Sequence, residues 1–169
     1  MSTAPVWALS LIYWLHMLAT VIWIGGLATL SILVLPSARR VLDITDYAKL
    51  LMGIRRKLDP LGWLSLLVLL GTGMFQMSVN PNYGGFLAVN NQWAVAILVK
   101  HIVFLLMASI SAYLTWGIIP KLSRLAFRQA EGQDTAEAEG LRHREALLMR
   151  INLILGAIVL ALTALARAS

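Results

Sequence analysis

Three ionisable side chains, His16, Lys100 and His101, lie inside apolar stretches of the sequence. Ionisable groups in such positions are costly enough to mark a functional site by default. His16 follows Trp7 by nine residues and His101 follows Trp93 by eight, which at ~1.5 Å per helical residue puts both about 12–14 Å below the same boundary. Neutral imidazole ligates iron, copper and zinc, and a pair of imidazoles is a standard axial set for a low-spin b-type haem. Matched depth therefore predicts a shared ligand: haem b held by His16 and His101, with copper as the alternative. A mutual or backbone hydrogen bond is the purely structural outcome. Met74 and Met77 stand one helical turn apart near that depth, and thioether sulfur suits Cu(I). Methionine is equally an ordinary apolar filler.

Helical spacing places Thr20, Trp23 and Leu27 below His16, and Leu105, Ala108 and Ala112 below His101. Trp23 is placed to pack against a cofactor edge, and Ala108 to leave room for a porphyrin plane. Gly62, Ser65, Gly71, Thr72, Gly73 and Gly156 suit either a cofactor slot or the close helix packing usual in membrane bundles. Lys100 is turned about 100° from His101. With Arg167 it is available to haem propionates; otherwise it snorkels to headgroups. His143, between Arg142 and Arg144, reads as solvated, and Asn152, Gly156 and Thr163 read as a helix contact.

These residues need long helices to carry them, and the composition supplies them. The chain has 169 residues, 59% hydrophobic and 13% charged, with a mean hydropathy of +0.77, well above the apolar share of a soluble domain. Four stretches, residues 7–35, 61–79, 93–119 and 146–166, are each long enough to cross a ~30 Å hydrocarbon core as helix. The first lacks a basic n-region and is far longer than a signal-peptide core of ~7–15 residues, so it reads as a mature span. Cysteine is absent, which excludes disulfides, thiolate metal sites, cysteine-ligated iron–sulfur clusters and covalent haem attachment through C-x-x-C-H.

Short connectors predict a single transmembrane domain over residues 1–169, an all-α, up-down-up-down four-helix bundle with spans one and three diagonally opposed. Of the fourteen Lys and Arg residues, twelve fall in the connectors 36–60 and 120–145 or at the edge of the last span. None falls between residues 80 and 92. The positive-inside rule then puts both connectors in the cytoplasm and both termini outside it, as in a multi-pass protein of a bacterial-type inner membrane. The +6 net charge is thereby read as topology, and nucleic acid is not an expected partner. The lipid bilayer is; a second copy or the subunits of a membrane redox complex are the further classes left open.

Boundary residues refine the plan. Asp59-Pro60 reads as a helix start opening span two, Pro36 as the close of span one, and Asn80-Pro81 as the close of span two. Tyr47, Leu50, Leu51 and Ile54 have the spacing of an amphipathic helix lying on the inner membrane surface, or of a solvated connector. The polar residues 128–144, interrupted by Gly132 and Gly140, read as a hairpin or extension.

Residues 14–27, in which His16 is followed seven positions later by Trp23 and then by Gly25-Gly26, resemble the first helix of the copper-resistance protein D (CopD) family. Leu98-Val99-Lys100-His101 resembles its lysine-bearing third helix. The pattern also looks like HemJ, the membrane protoporphyrinogen oxidase. The resemblance implies His16 as a ligand and Lys100 as a functional position.

The expected function is a bis-histidine membrane cytochrome b transferring electrons, alone or within a redox complex, more an electron carrier than a stand-alone enzyme. Copper transport or resistance and a HemJ-like oxidase are the alternatives. With no intramembrane carboxylate pair, no nucleophile beside a base and no phosphate-binding glycine loop, hydrolysis and phosphoryl transfer are not expected.

Overall fold

The computed structural model describes residues 5–87, 89–130 and 136–168, all helix outside the turns and loops. Helix α1 (Val6–Ala28) passes through a π-helical stretch, Thr29–Val34, into α2 (Leu35–Val41). Helix α3 is Ile44–Ser78, and α4 (Gln92–Tyr113) runs through a second π-helical stretch, Leu114–Ile118, into α5 (Ile119–Ala130). Helix α6 is Ala136–Ala168. Four continuous helical rods are long and apolar enough to cross a membrane, and most of their apolar side chains face outward, among them Val21, Leu67, Ile102 and Ile154. That is the distribution expected when lipid is the solvent.

The rods form an up-down-up-down bundle. The main seams are α1 with α3 and α4 with α6, and α3–α5 and α1–α6 contacts close the ring. Helices α1 and α4 share no extensive seam; they stand diagonally and touch across the axis, where the Trp23 and Phe104 rings meet edge to face at 5.7 Å. One end of the bundle carries the start of α1, the end of α6 and the loop between α3 and α4 (the terminal end). The other carries the polar turns (the connector end).

Prolines do not end the rods where the sequence led us to expect. Pro36 and Pro120 each stand in the first turn after a π-helical stretch. A proline has no N–H for the carbonyl four residues back, and the preceding turn widens to i→i+5 bonding: the Leu35 N–H reaches the Leu30 carbonyl, and Ile119 reaches Leu114. Pro60 lies inside α3, which starts at Ile44, where Asp43 caps it by accepting from the Asp46 N–H at 2.8 Å. Asp59-Pro60 is therefore not a helix start. Asp59 instead accepts from Arg55 Nη1 at 3.3 Å and Thr115 Oγ1 at 3.4 Å. Helix α3 does end at Asn80-Pro81 as expected, and Asn91 caps α4 by accepting from the Ala94 N–H at 2.7 Å.

The 44–58 segment does not lie on a membrane surface. It continues the bundle upright against α5, with Tyr47 and Arg55 bonded to Glu145 and Met149 of α6, burying Tyr47, Leu51 and Arg55 and leaving Leu50 exposed. Helix α6 likewise runs straight through Gly140; Gly132 lies outside the described residues. Tyr47 Oη donates to Glu145 Oε2, the Arg142 guanidinium stacks 4.6 Å over the Tyr47 ring, and Arg142 Nη2 donates to the Arg39 carbonyl at 3.3 Å. A buried polar knot thus ties α2, α3 and α6 together at the connector end.

Candidate metal-binding cavity

At the terminal end the four rods splay around a cavity of about 690 Å³, within the usual range for small-molecule sites. His16 and His101 both line it, from the diagonal helices α1 and α4, so the structure brings the paired histidines to one space. Lys100 lines it too: the space is wide enough to admit both neighbours on α4 despite the ~100° between them. Trp23 forms its floor with Phe104 and Met107, and is buried. Arg167 from α6 lines the other side and sits 6.0 Å over the Tyr13 ring.

Hydrogen bonds fix how each imidazole is presented. His101 Nδ1 lies 2.7 Å from the Ile97 carbonyl, which only accepts, so Nδ1 carries the proton and Nε2 keeps its lone pair. His16 Nδ1 lies 2.8 Å from Thr72 Oγ1. Thr72 donates its one hydroxyl proton to the Val68 carbonyl at 2.5 Å, leaving its oxygen as the acceptor for His16 Nδ1–H. Both rings therefore hold the tautomer with a free Nε2, the arrangement in which ligating histidines are oriented by a bond from the other nitrogen. Gly73 makes the approach of α3 to the ring close: a Cβ there would lie 3.5 Å from His16 Cε1. The Phe86 ring, from the 80–91 loop, covers His101 edge-on at 5.5 Å.

The methionine pair is split. Met77 is buried and lines the cavity, whereas Met74 is 48% exposed and does not. On α4 the expected face shifts as well. Leu105 points outward, and Ala108 packs against the hydrophobic core without lining the cavity. The positions below His101 that reach the cavity are Phe104 and Met107. Trp93, the boundary from which the depth of His101 is counted, is buried against Met77, Ala94 and Ala166. His143 is exposed, as expected. Asn152 is buried, its Nδ2 donating to Ser111 Oγ at 2.9 Å across the α4–α6 seam.

Sequence reasoning left Thr72 open between a cofactor slot and close packing, and it missed Gln76. Thr72 is indistinguishable from a packing residue until its partner is known, and Gln76, whose Nε2 is buried without a partner, lines the cavity between Met77 and Gly73. Among the described residues no group of three His, Cys, Asp or Glu side chains is arranged to hold a metal, and no carboxylate lines the cavity. What the arrangement offers is neutral: two imidazole nitrogens and one thioether, with two cations nearby.

Four membrane-crossing helices around an imidazole-lined cavity define a polytopic membrane protein of the small-bundle type. Residues 52–166 match the family model described as Copper resistance protein D, and the chain belongs to that CopD family. The matched stretch includes Met77, Lys100 and His101 and begins after His16 and Trp23. No curated protein and no solved structure matches the chain.

Proposed function

We propose that the protein handles copper in the membrane, taking up Cu(I) as cargo through the terminal-end cavity. The observation that carries this reading is the convergence on one cavity of two imidazoles of the same tautomer, each with Nε2 left to bind, together with the buried thioether of Met77. Neutral nitrogen and thioether donors suit Cu(I). Lys100 and Arg167 beside them, with no carboxylate lining the cavity among the described residues, oppose tight retention of a cation, as suits a cargo that moves on. Membership of the CopD family supports the same reading.

The basic connectors favour an orientation with the connector end in the cytoplasm and the cavity facing outward. The chain then acts as a single transmembrane domain. The test is Cu(I) titration of the purified protein. About one Cu(I) per chain, lost in the His16→Ala, His101→Ala double variant, is expected; the same copper content in the double variant would refute the site.

Haem b between the same two Nε2 atoms is the second reading, favoured by the cavity's volume and by its two cations, Lys100 and Arg167, which match a flat apolar ring bearing two propionates. When bound, such a group would supply one-electron transfer. His16 and His101 would hold the iron, Lys100 and Arg167 the propionates, and Trp23 and Phe104 the inner ring edge. A reduced-minus-oxidised optical spectrum separates the two: a Soret band with iron and no copper selects haem.

A further inference from the structure

A second, smaller cavity of about 70 Å³ lies on the connector side of the first. Trp23 lines both, so its indole stands between them, braced edge to face by Phe104. Beyond it the lining is still mainly apolar but gains four polar side chains, Arg55, Asp59, Ser111 and Thr115, and the Met149 thioether. These groups are already linked, since Arg55 Nη2 donates to Met149 Sδ at 3.5 Å and Thr115 donates to Asp59. They run on into the connector-end knot, where Arg55 Nε, Asn152 Oδ1 and Glu145 Oε1 are buried without partners. Buried polar atoms are nearly always paired, with protein or with ordered water. A space of this size exceeds the ~10–15 Å³ that one water needs.

We propose that the two cavities are successive chambers of one route through the bundle, that Trp23 is the partition between them, and that the connector-side chamber is hydrated and receives the cargo. The cargo's identity as Cu(I) rests on the function proposed above; the route itself does not. The partition is apolar on its cavity side, with Trp23, Phe104 and Met107 together, and a bare cation crosses such a layer only if the indole moves. The Arg55–Asp59 pair keeps the chamber beyond it close to neutral, and Met149 and the two hydroxyls offer the soft and oxygen donors of a transit site.

The natural chain has no cysteine, which makes single introduced thiols clean reporters. Ser111→Cys and Thr115→Cys report the connector-side chamber, and Thr163→Cys the terminal-side cavity. Silver(I), a soft monovalent ion, is applied to one face of oriented vesicles, and capped thiols are counted by their failure to alkylate after denaturation. Silver from the terminal side is expected to cap Thr163→Cys at once and Ser111→Cys and Thr115→Cys at least tenfold more slowly, while silver from the connector side caps the latter two at once. Adding Trp23→Ala is expected to raise terminal-side capping of both to the rate of Thr163→Cys, whereas Trp23→Phe keeps it slow.

Thr163→Cys capping in each background verifies that the cavity persists. Should Trp23→Ala abolish it, Trp23→Leu carries the comparison. Terminal-side capping of Ser111→Cys as fast as that of Thr163→Cys with Trp23 intact, or no connector-side capping, or no effect of removing the indole, would overturn the route. Because no copper is involved, the expected capping without any copper binding would instead overturn the copper reading alone.

Discussion

Thr72 Oγ1 stands 2.8 Å from His16 Nδ1 while spending its own proton on the Val68 carbonyl, so a helix backbone oxygen on α3 sets the tautomer of a ring on α1. Removing that acceptor should loosen the ring without deleting it. Thr72→Val is expected to weaken copper binding about 10–100-fold, as loss of such a supporting bond does at other metal sites, with Thr72→Ser close to the natural chain. Competition titration against a Cu(I) chelator measures this; equal affinity in all three proteins would show that the hydroxyl does not orient His16.

The two methionines should separate in the same assay. Met77 is buried and lines the cavity, and Met74 is half exposed outside it. Met77→Leu keeps the volume and removes the sulfur, so it should lower Cu(I) affinity by about tenfold or more, on the order of 1.4 kcal/mol. Met74→Leu should change nothing. If the effects were reversed, the cavity would not be the copper site.

Much of this architecture is legible in the sequence, because lipid imposes simple constraints. Run length gives the four rods, and matched depth with common direction sends His16 and His101 to one cavity. What escapes depends on neighbours. Pro36 reads as a helix end and Asp59-Pro60 as a helix start, yet the helix runs past both: Tyr47, Leu51 and Arg55 are buried only if α3 continues through Pro60. A residue such as Thr72 has no distinctive spacing. Its role comes from α1 lying against α3, a relation that periodicity along one helix does not encode. The choice of Phe104 and Met107 over Ala108 as cavity walls is a rotation of α4 by part of a turn, and a helix without a strong amphipathic stripe does not announce it.

At the connector end, Glu145 is fully buried and Tyr47 Oη is its hydrogen-bond donor, while its other oxygen has no partner. Tyr47→Phe takes that donor away and leaves a carboxyl group poorly satisfied, at a cost of about 1–3 kcal/mol. The thermal unfolding midpoint in detergent should fall accordingly. Copper affinity should hold, because the knot and the histidine cavity occupy opposite ends of the bundle. A variant that lost copper binding at unchanged stability would reverse this assignment.

Gly156 tests whether three rods meet where the structure places them. A Cβ at this position would lie 3.3 Å from Met107 Cε and 3.7 Å from Ile24 Cδ1, side chains of α4 and α1. Gly156→Ala asks only for a few tenths of an ångström from the end of a flexible thioether, and replaces a helical glycine with a residue that favours helix by about 1 kcal/mol. The two effects oppose each other, and stability should stay within about 1 kcal/mol of the natural chain. Gly156→Leu leaves no such accommodation. Its side chain must displace the fully buried Met107, costing about 1–3 kcal/mol by overpacking, and the cavity that Met107 lines gives it room to move into. The leucine variant should therefore lose both unfolding temperature and Cu(I) affinity, while the alanine variant keeps both. A leucine variant as stable as the natural chain would mean that α1, α4 and α6 do not converge at this residue.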